Sequence, residues 1–226
     1  MANNLDLEEQ EQLDQLKHFW KQYGNPITWL LILVLGGFAA WNGYQYWQRS
    51  QSAQAAAMFD EVLRVIQTNE PDKAERAFSD MKERFPSAIQ THQAGLVAAK
   101  TLVDANQADK AKAVLTWMAE KPTDAGYASI ARLRLAALLL ESQSYDAALK
   151  QVDAVQDPAF SALAADRRGD ILMAQGNRPQ ALAQYQKAYQ AFPERTEYRR
   201  LVEVKLNALG VDPTALAQSS TAEVAK

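Results

Sequence analysis

The sequence predicts an all-α chain: one membrane-spanning helix near the amino terminus, then a solenoid of about four helical hairpins with a capping helix. Three observations carry this reading. Between Lys21 and Arg49, 27 consecutive residues bear no charge. From Ser52 onward the chain is rich in alanine and other helix formers, with few prolines and glycines inside the periodic runs. Finally, Ala74, Ala111, Ala148 and Ala181 recur at intervals of 37, 37 and 33 residues, near the period of a repeated two-helix unit.

The first helix covers residues 5–23, with Leu13, Leu16, Phe19 and Trp20 close to one face and the acids mostly opposite. Its apolar face suits docking on a membrane surface, but a solvated lead-in to the span explains it as simply, and that plainer reading is preferred. Gly24 and Pro26 are expected to end or kink this helix. Pro26 to Trp47 then supplies the roughly 20 helical residues that a hydrocarbon core of about 30 Å requires. Ile27 to Trp41 is apolar almost all round, whereas a surface helix of a soluble domain would show a polar face. Trp20, Tyr23 and Trp29 mark one interface, and Trp41, Tyr44, Tyr46 and Trp47 the other.

A cleaved signal peptide would need a basic start and a shorter apolar run, which the acidic leading segment and the long stretch before Ala53-Gln54-Ala55 do not match. A buried core helix seldom carries two aromatic belts. Inside the span, Gly36, Ala40 and Gly43 stand at i, i+4 and i+7, a face of small residues where another helix can approach closely. Lys17 and Lys21 on one flank and Arg49 and Arg64 on the other leave orientation unsettled by charge.

Residues 1–21 hold five acids against two lysines, leaving 22 basic and 22 acidic residues for the remainder. A neutral domain lacks the basic footprint of a nucleic-acid binder. With no cysteine there is no disulfide or thiolate chemistry. The organisation expected is an amphipathic segment over 1–24, the span over 25–48, a repeat domain over 49–210 and a disordered tail over 211–226.

Within the repeat domain, helices are expected near 52–68, 71–84, 88–105, 107–119, 124–142, 144–156, 158–175, 178–191 and 195–209. Prolines at 71, 86, 122, 158 and 193 and the pair Gly176-Asn177 punctuate them. The pattern Ala165-x2-Arg168-Gly169-x2-Leu172, Gly176, Ala181-Leu182, Tyr185, Ala188 and Pro193 resembles the tetratricopeptide repeat closely. Gly169 and Ala181 let two helices approach, Tyr185 and Leu172 fill the space between neighbours, and Pro193 stops the second helix. Earlier copies are looser and carry Val62, Ala99 and Ala136 where Gly169 stands. In the last helix Leu201, Val204 and Leu209 form an apolar side, with charges among its early residues, as a capping helix requires.

Catalytic chemistry finds little footing. His18 and His92 lie on opposite sides of the span, and there is no glycine-rich phosphate loop and no nucleophile elbow. Asp166 and Asp170 share a helix face but read as solvated surface charge. No enzyme, metal or cofactor is therefore expected. If first helices line the inner side of the solenoid, the lining comprises Phe59, Leu63, Ile66, Leu96, Val103, Leu133, Leu140, Leu163 and Met173, an apolar surface suited to a partner's peptide segment. These residues could instead pack inside the solenoid or against the capping helix.

The amino-terminal run Glu9-Gln10-Glu11-Gln12-Leu13-Asp14-Gln15-Leu16-Lys17-His18-Phe19-Trp20-Lys21-Gln22-Tyr23-Gly24, the span, and Trp41-Asn42-Gly43-Tyr44-Gln45-Tyr46-Trp47 together resemble the YfgM-type ancillary subunits of the bacterial Sec translocon. The resemblance extends to about Asp212. It implies a single-pass protein of the inner membrane with a cytoplasmic amino terminus and a periplasmic repeat domain. It further implies contact with the SecYEG channel, association with the periplasmic folding factor PpiD, and a chaperone-like role toward exported polypeptides. The alternative is an anchored repeat scaffold for another envelope complex, such as cytochrome maturation or cell division.

Overall fold

The structure, a computed structural model, describes residues 7–68 and 70–213. All regular structure among them is helical: α1 (Leu7–Gln67), α2 (Pro71–Arg84), α3 (Ile89–Asp104), α4 (Ala108–Glu120), α5 (Ala125–Glu141), α6 (Tyr145–Asp153), a 3₁₀ turn (Pro158–Phe160), α7 (Ser161–Ala174), α8 (Arg178–Ala191) and α9 (Glu197–Ala208). The expected tail lies almost wholly outside the described residues, of which Pro213 is the last and is buried. The chain divides into two compact units, Met1–Ala53 and Gln54–Lys226.

In the first unit, the expected end of a helix at Gly24 and Pro26 does not occur: α1 runs through both. Proline withholds one N–H from the helical ladder, which costs most when the freed groups find no other partner. Here the Thr28 hydroxyl donates to the Gly24 carbonyl at 2.7 Å, adding a side-chain bond beside the interruption. The Trp20 ring folds against Gly24, within 3.1 Å of where a Cβ would stand. Further along, Leu30, Leu33, Leu35 and Phe38 are all more than 60% exposed, as apolar side chains with no protein partner must be.

In the second unit helices α2 to α9 each pack against the next, as the helices of a helical repeat do. Helices α3, α5 and α7 close on left-handed residues: Asn106 (φ 60°), Gln143 (φ 57°) and Gly176 (φ 79°). The backbone bonds match as well, with Gln107 N–H donating to Leu102, Ser144 to Leu139 and Asn177 to Leu172, each at 2.8 Å. This is the Schellman stop, which glycine adopts freely and other residues at a cost. Pro71 starts α2, and Asn177 caps the Gln180 N–H at 3.3 Å at the start of α8, whereas α4 and α6 start without a side-chain cap bond.

The core is a chain of three apolar clusters rather than one. The first joins Ala55 and Val62 of α1 to Phe78, Met81, Leu102, Leu115, Met118 and Leu135. The second, around Ala136, Ala148, Val152 and Ile171, links α5, α6 and α7. The third gathers Leu172, Tyr185, Tyr189, Phe192, Val202 and Leu206 from α7, α8 and α9. Such an array stabilises each hairpin through its neighbours. Gly169 serves the predicted close approach, since a Cβ there would stand 2.5 Å from the Tyr185 ring. The earlier helices are not without such a glycine: Gly95, one turn before Ala99, brings α3 against Met118 and Phe78.

The last helix departs from its reading in two of three residues. Leu209 packs against the third cluster, but Leu201 and Val204 are 56% and 65% exposed, and Val202 and Leu206 are the buried residues. One residue of rotation, about 100°, separates the two faces, and the fit of Val202 and Leu206 into the third cluster decides between them. Moreover α9 ends as a first helix does, on Gly210 (φ 82°) with the Val211 N–H donating to Leu206.

Candidate functional site

The first helices of the repeat domain carry the apolar positions expected to line its inner side. Leu63 and Val103 are each 37% exposed. Phe59, Ile66 and Leu96 are half-buried against the first cluster, and Leu133 is half-buried. Leu140 packs against the second cluster, and Leu163 and Met173 against the third. Two hydrogen bonds fix α3 against α5 beside these positions: Gln93 Nε2 donates to the Tyr127 hydroxyl at 3.0 Å, and an Arg134 Nη donates to the Leu96 carbonyl at 3.0 Å. Between α1 and α3 a cleft of about 540 Å³ is lined by Ile66, Pro71, Val97, Lys100, Thr101, Asp104 and Ala105. Its walls combine apolar side chains with one charge of each sign, Lys100 and Asp104, which pair with each other.

A second constellation was not legible in the sequence. Asp166, read above as solvated, has no exposed surface. Its Oδ1 lies 2.7 Å from the Lys205 ammonium, and its Oδ2 accepts from the Tyr198 hydroxyl at 2.9 Å. The same ammonium is 2.6 Å from Asp170 Oδ1, which also accepts from the Tyr185 hydroxyl at 2.9 Å. Arg167 completes the charge balance, 3.4 Å from Asp170 Oδ2. Burial, with the Asp166 carboxylate beside it, pushes the Tyr198 hydroxyl up to about 12. Tyr185 is raised for the same reasons, burial first and then the charge of Asp170. Both phenols therefore stay protonated donors. The partners of Asp166 lie 32 and 39 residues downstream, beyond any local pattern.

His92 is buried, with ring nitrogens 3.3 Å from the Ala88 carbonyl and 3.0 Å from that of Lys121, and its ring lies against Trp117. Among the described residues no group of three or more histidines, cysteines or acids is placed to hold a metal ion.

The tetratricopeptide repeat-like domain family matches residues 17–211 of this chain. An ancillary SecYEG translocon subunit of Neisseria gonorrhoeae is 34% identical over 204 residues, covering 90% of this chain and 98% of that protein. The chain belongs to the ancillary SecYEG translocon subunit family. Members from Haemophilus influenzae and Escherichia coli are 29% and 26% identical, each again over 90% of this chain. The family model's match runs from Lys17 in α1 to Val211 after α9 and so takes in the apolar stretch and the helical repeats together. Within α1, the segment Glu11–Gln67 contains a window long and apolar enough to cross a membrane, none of it buried.

Proposed function

We propose that this protein is a non-enzymatic, single-pass accessory subunit of the Sec translocon in the bacterial inner membrane, with a cytoplasmic amino terminus and a periplasmic repeat domain. The observation that carries the reading is the pairing of family membership with an exposed apolar segment of α1. In this reading Gly36, Ala40 and Gly43 form the face on which a partner's membrane helix packs. A Cβ at Gly36 or Gly43 would meet nothing of this chain within 4 Å, which leaves that face free for close helix approach. Contact with SecYEG follows the names of the relatives, and a PpiD-type folding factor follows the resemblance of the amino-terminal run.

The repeat domain then receives exported polypeptides or a partner's apolar segment on the face of Phe59, Leu63, Ile66, Leu96, Val103, Leu133 and Leu140, with Leu163 and Met173 at its far end. Half-open leucines and valines give such a segment apolar area to bury, while α3 and α5 hold the surface rigid.

Photocrosslinking in cells from Gly36, Ala40, Phe59 and Leu133 tests both surfaces. Adducts to channel subunits from the span, and to nascent secretory chains or a folding factor from the domain, are the expected result. Adducts to a fixed set of cytochrome-maturation or division proteins would replace the translocon role with that of a scaffold. Leu63→Asp combined with Val103→Asp is expected to remove the domain adducts and keep the helical circular dichroism signal; unchanged adducts would place the binding face elsewhere.

A further inference from the structure

On α7, Leu163, Asp166, Asp170 and Met173 stand at i, i+3, i+7 and i+10 and so share one helix face. Two of the four are the residues assigned above to the far end of the binding surface. That face is occupied. Leu163 and Met173 pack against the cluster that contains Val202 and Leu206 of α9, and the two acids take the α9 ammonium between them at 2.7 and 2.6 Å. Lys205 also lies 5.2 Å from the centre of the Tyr185 ring.

Without α9, the hairpin of α7 and α8 would present two carboxylates, the Tyr185 hydroxyl and ring, and two apolar side chains on one face. Carboxylates and an aromatic face are the groups that receive an ammonium. Arg167 neutralises only part of the acidity, since it pairs with Asp170 alone among the two acids. What α9 adds is the complement: one ammonium, the Tyr198 hydroxyl and the apolar pair Val202 and Leu206. The helix that ends with the left-handed turn of a first helix thus behaves toward α7 as a bound segment.

We propose that α9 is a ligand of its own domain: its Lys205 fills a lysine-recognition site at the far end of the binding face, and its release opens that site to a helical partner segment carrying a lysine flanked by apolar residues. This rests on the binding face described under the proposed function. The helix is held by its buried apolar pair, by the ammonium in its acidic seat, by the Tyr198 hydroxyl on Asp166 at 2.9 Å and by the Arg199 guanidinium 4.2 Å from the centre of the Tyr189 ring. A buried acid that loses its only ammonium is strongly destabilised, so the ammonium is the contact whose loss the seat feels most. Tethering also gives α9 a high effective concentration, on the order of millimolar for a short connection, and a competing segment succeeds only where the tethered contact is weakened.

The test uses the full chain in detergent and, as probe, a fluorescent peptide of residues 196–210. In Lys205→Met, amide exchange within α9 is expected to rise at least about tenfold, while α2 to α5 exchange as in the parent. The peptide is expected to bind Lys205→Met but not the parent, and to lose binding when Asp166→Asn and Asp170→Asn are added. Unchanged exchange in α9 would overturn the proposal, because the remaining contacts would then hold the helix without the ammonium. Exchange rising equally in α7, α8 and α9 would also overturn it and make the cluster ordinary core. Failure of the opened variant to bind the peptide would do the same. None of these readouts depends on crosslinks from Phe59 or Leu133, so the binding face and its built-in ligand stand or fall separately.

Discussion

Two lysines in this domain bridge two acids on a helix two elements earlier, one pair open to water and the other largely closed to it. Lys110 of α4 lies 2.6 Å from Asp72 and 2.9 Å from Glu75 on α2. Lys205 of α9 lies 2.7 Å from Asp166 and 2.6 Å from Asp170 on α7. At the first bridge the acid side chains are 61% and 34% exposed; at the second they are 1% and 19% exposed. Hydrogen bonds and charge still act at the exposed bridge, where Lys110 holds the Asp72 carboxyl below its ordinary range. Solvent nonetheless replaces most of what such a pair contributes, whereas a buried acid has no other source of compensation. Distance is a poor guide to the worth of an ion pair, and exposure is a good one.

The comparison yields a ranked set of outcomes. Lys205→Met should have the largest effect, about 3–5 kcal/mol at the α7–α9 end, because it strands Asp166 without an ammonium; hydrogen exchange resolved by helix would measure it. Gly169→Ala should cost about 1–3 kcal/mol by overpacking. The added Cβ would stand 2.5 Å from the Tyr185 ring, and that ring cannot swing aside without breaking its hydroxyl's bond to Asp170. Gly95→Ala should cost less, since the nearest atom is the sulfur of the adaptable Met118 side chain. Denaturant titration of both variants compares them directly.

Tyr198→Phe should cost about 1 kcal/mol through its lost hydrogen bond, and it carries a pH signature. The folded hydroxyl holds its proton up to about 12, above the ordinary value of about 10. Its contribution is therefore fully present below pH 10 and disappears as pH rises from there through about 12. The parent should lose stability across that window more steeply than the phenylalanine variant, a difference that alkaline unfolding curves would display. Lys110→Met, at the exposed bridge, should barely move the unfolding midpoint. A large shift there would break the rule that exposure sets the ranking.

The order of helices was legible because proline announces itself: Pro71 opens α2, and Asn177 with the following proline opens α8. The apolar stretch was legible because a helix apolar on every side has no solvated face, and its two aromatic belts set it apart from a buried core helix. The continuation of α1 across Pro26 was not, since the rule that proline ends helices belongs to water, and Thr28 supplies a further bond beside the gap. The buried face of α9 turned on one residue of rotation, which packing settles and periodicity cannot. The positions assigned to the inner face came from register alone, and their exposure depends on neighbours that only the fold supplies. Asp166 looked like any surface acid because what makes it special lies on another helix.

The left-handed turns have a practical meaning as well. Asn106, Gln143, Gly176 and Gly210 repeat one backbone gesture, and the fourth follows a helix whose outer side still shows Leu201 and Val204. To a protein engineer that is an open coupling: a hairpin grafted after Gly210 would meet a ready turn and an uncovered apolar seat. The domain could thus be lengthened at that end by adding parts, with no redesign of the hairpins that precede it.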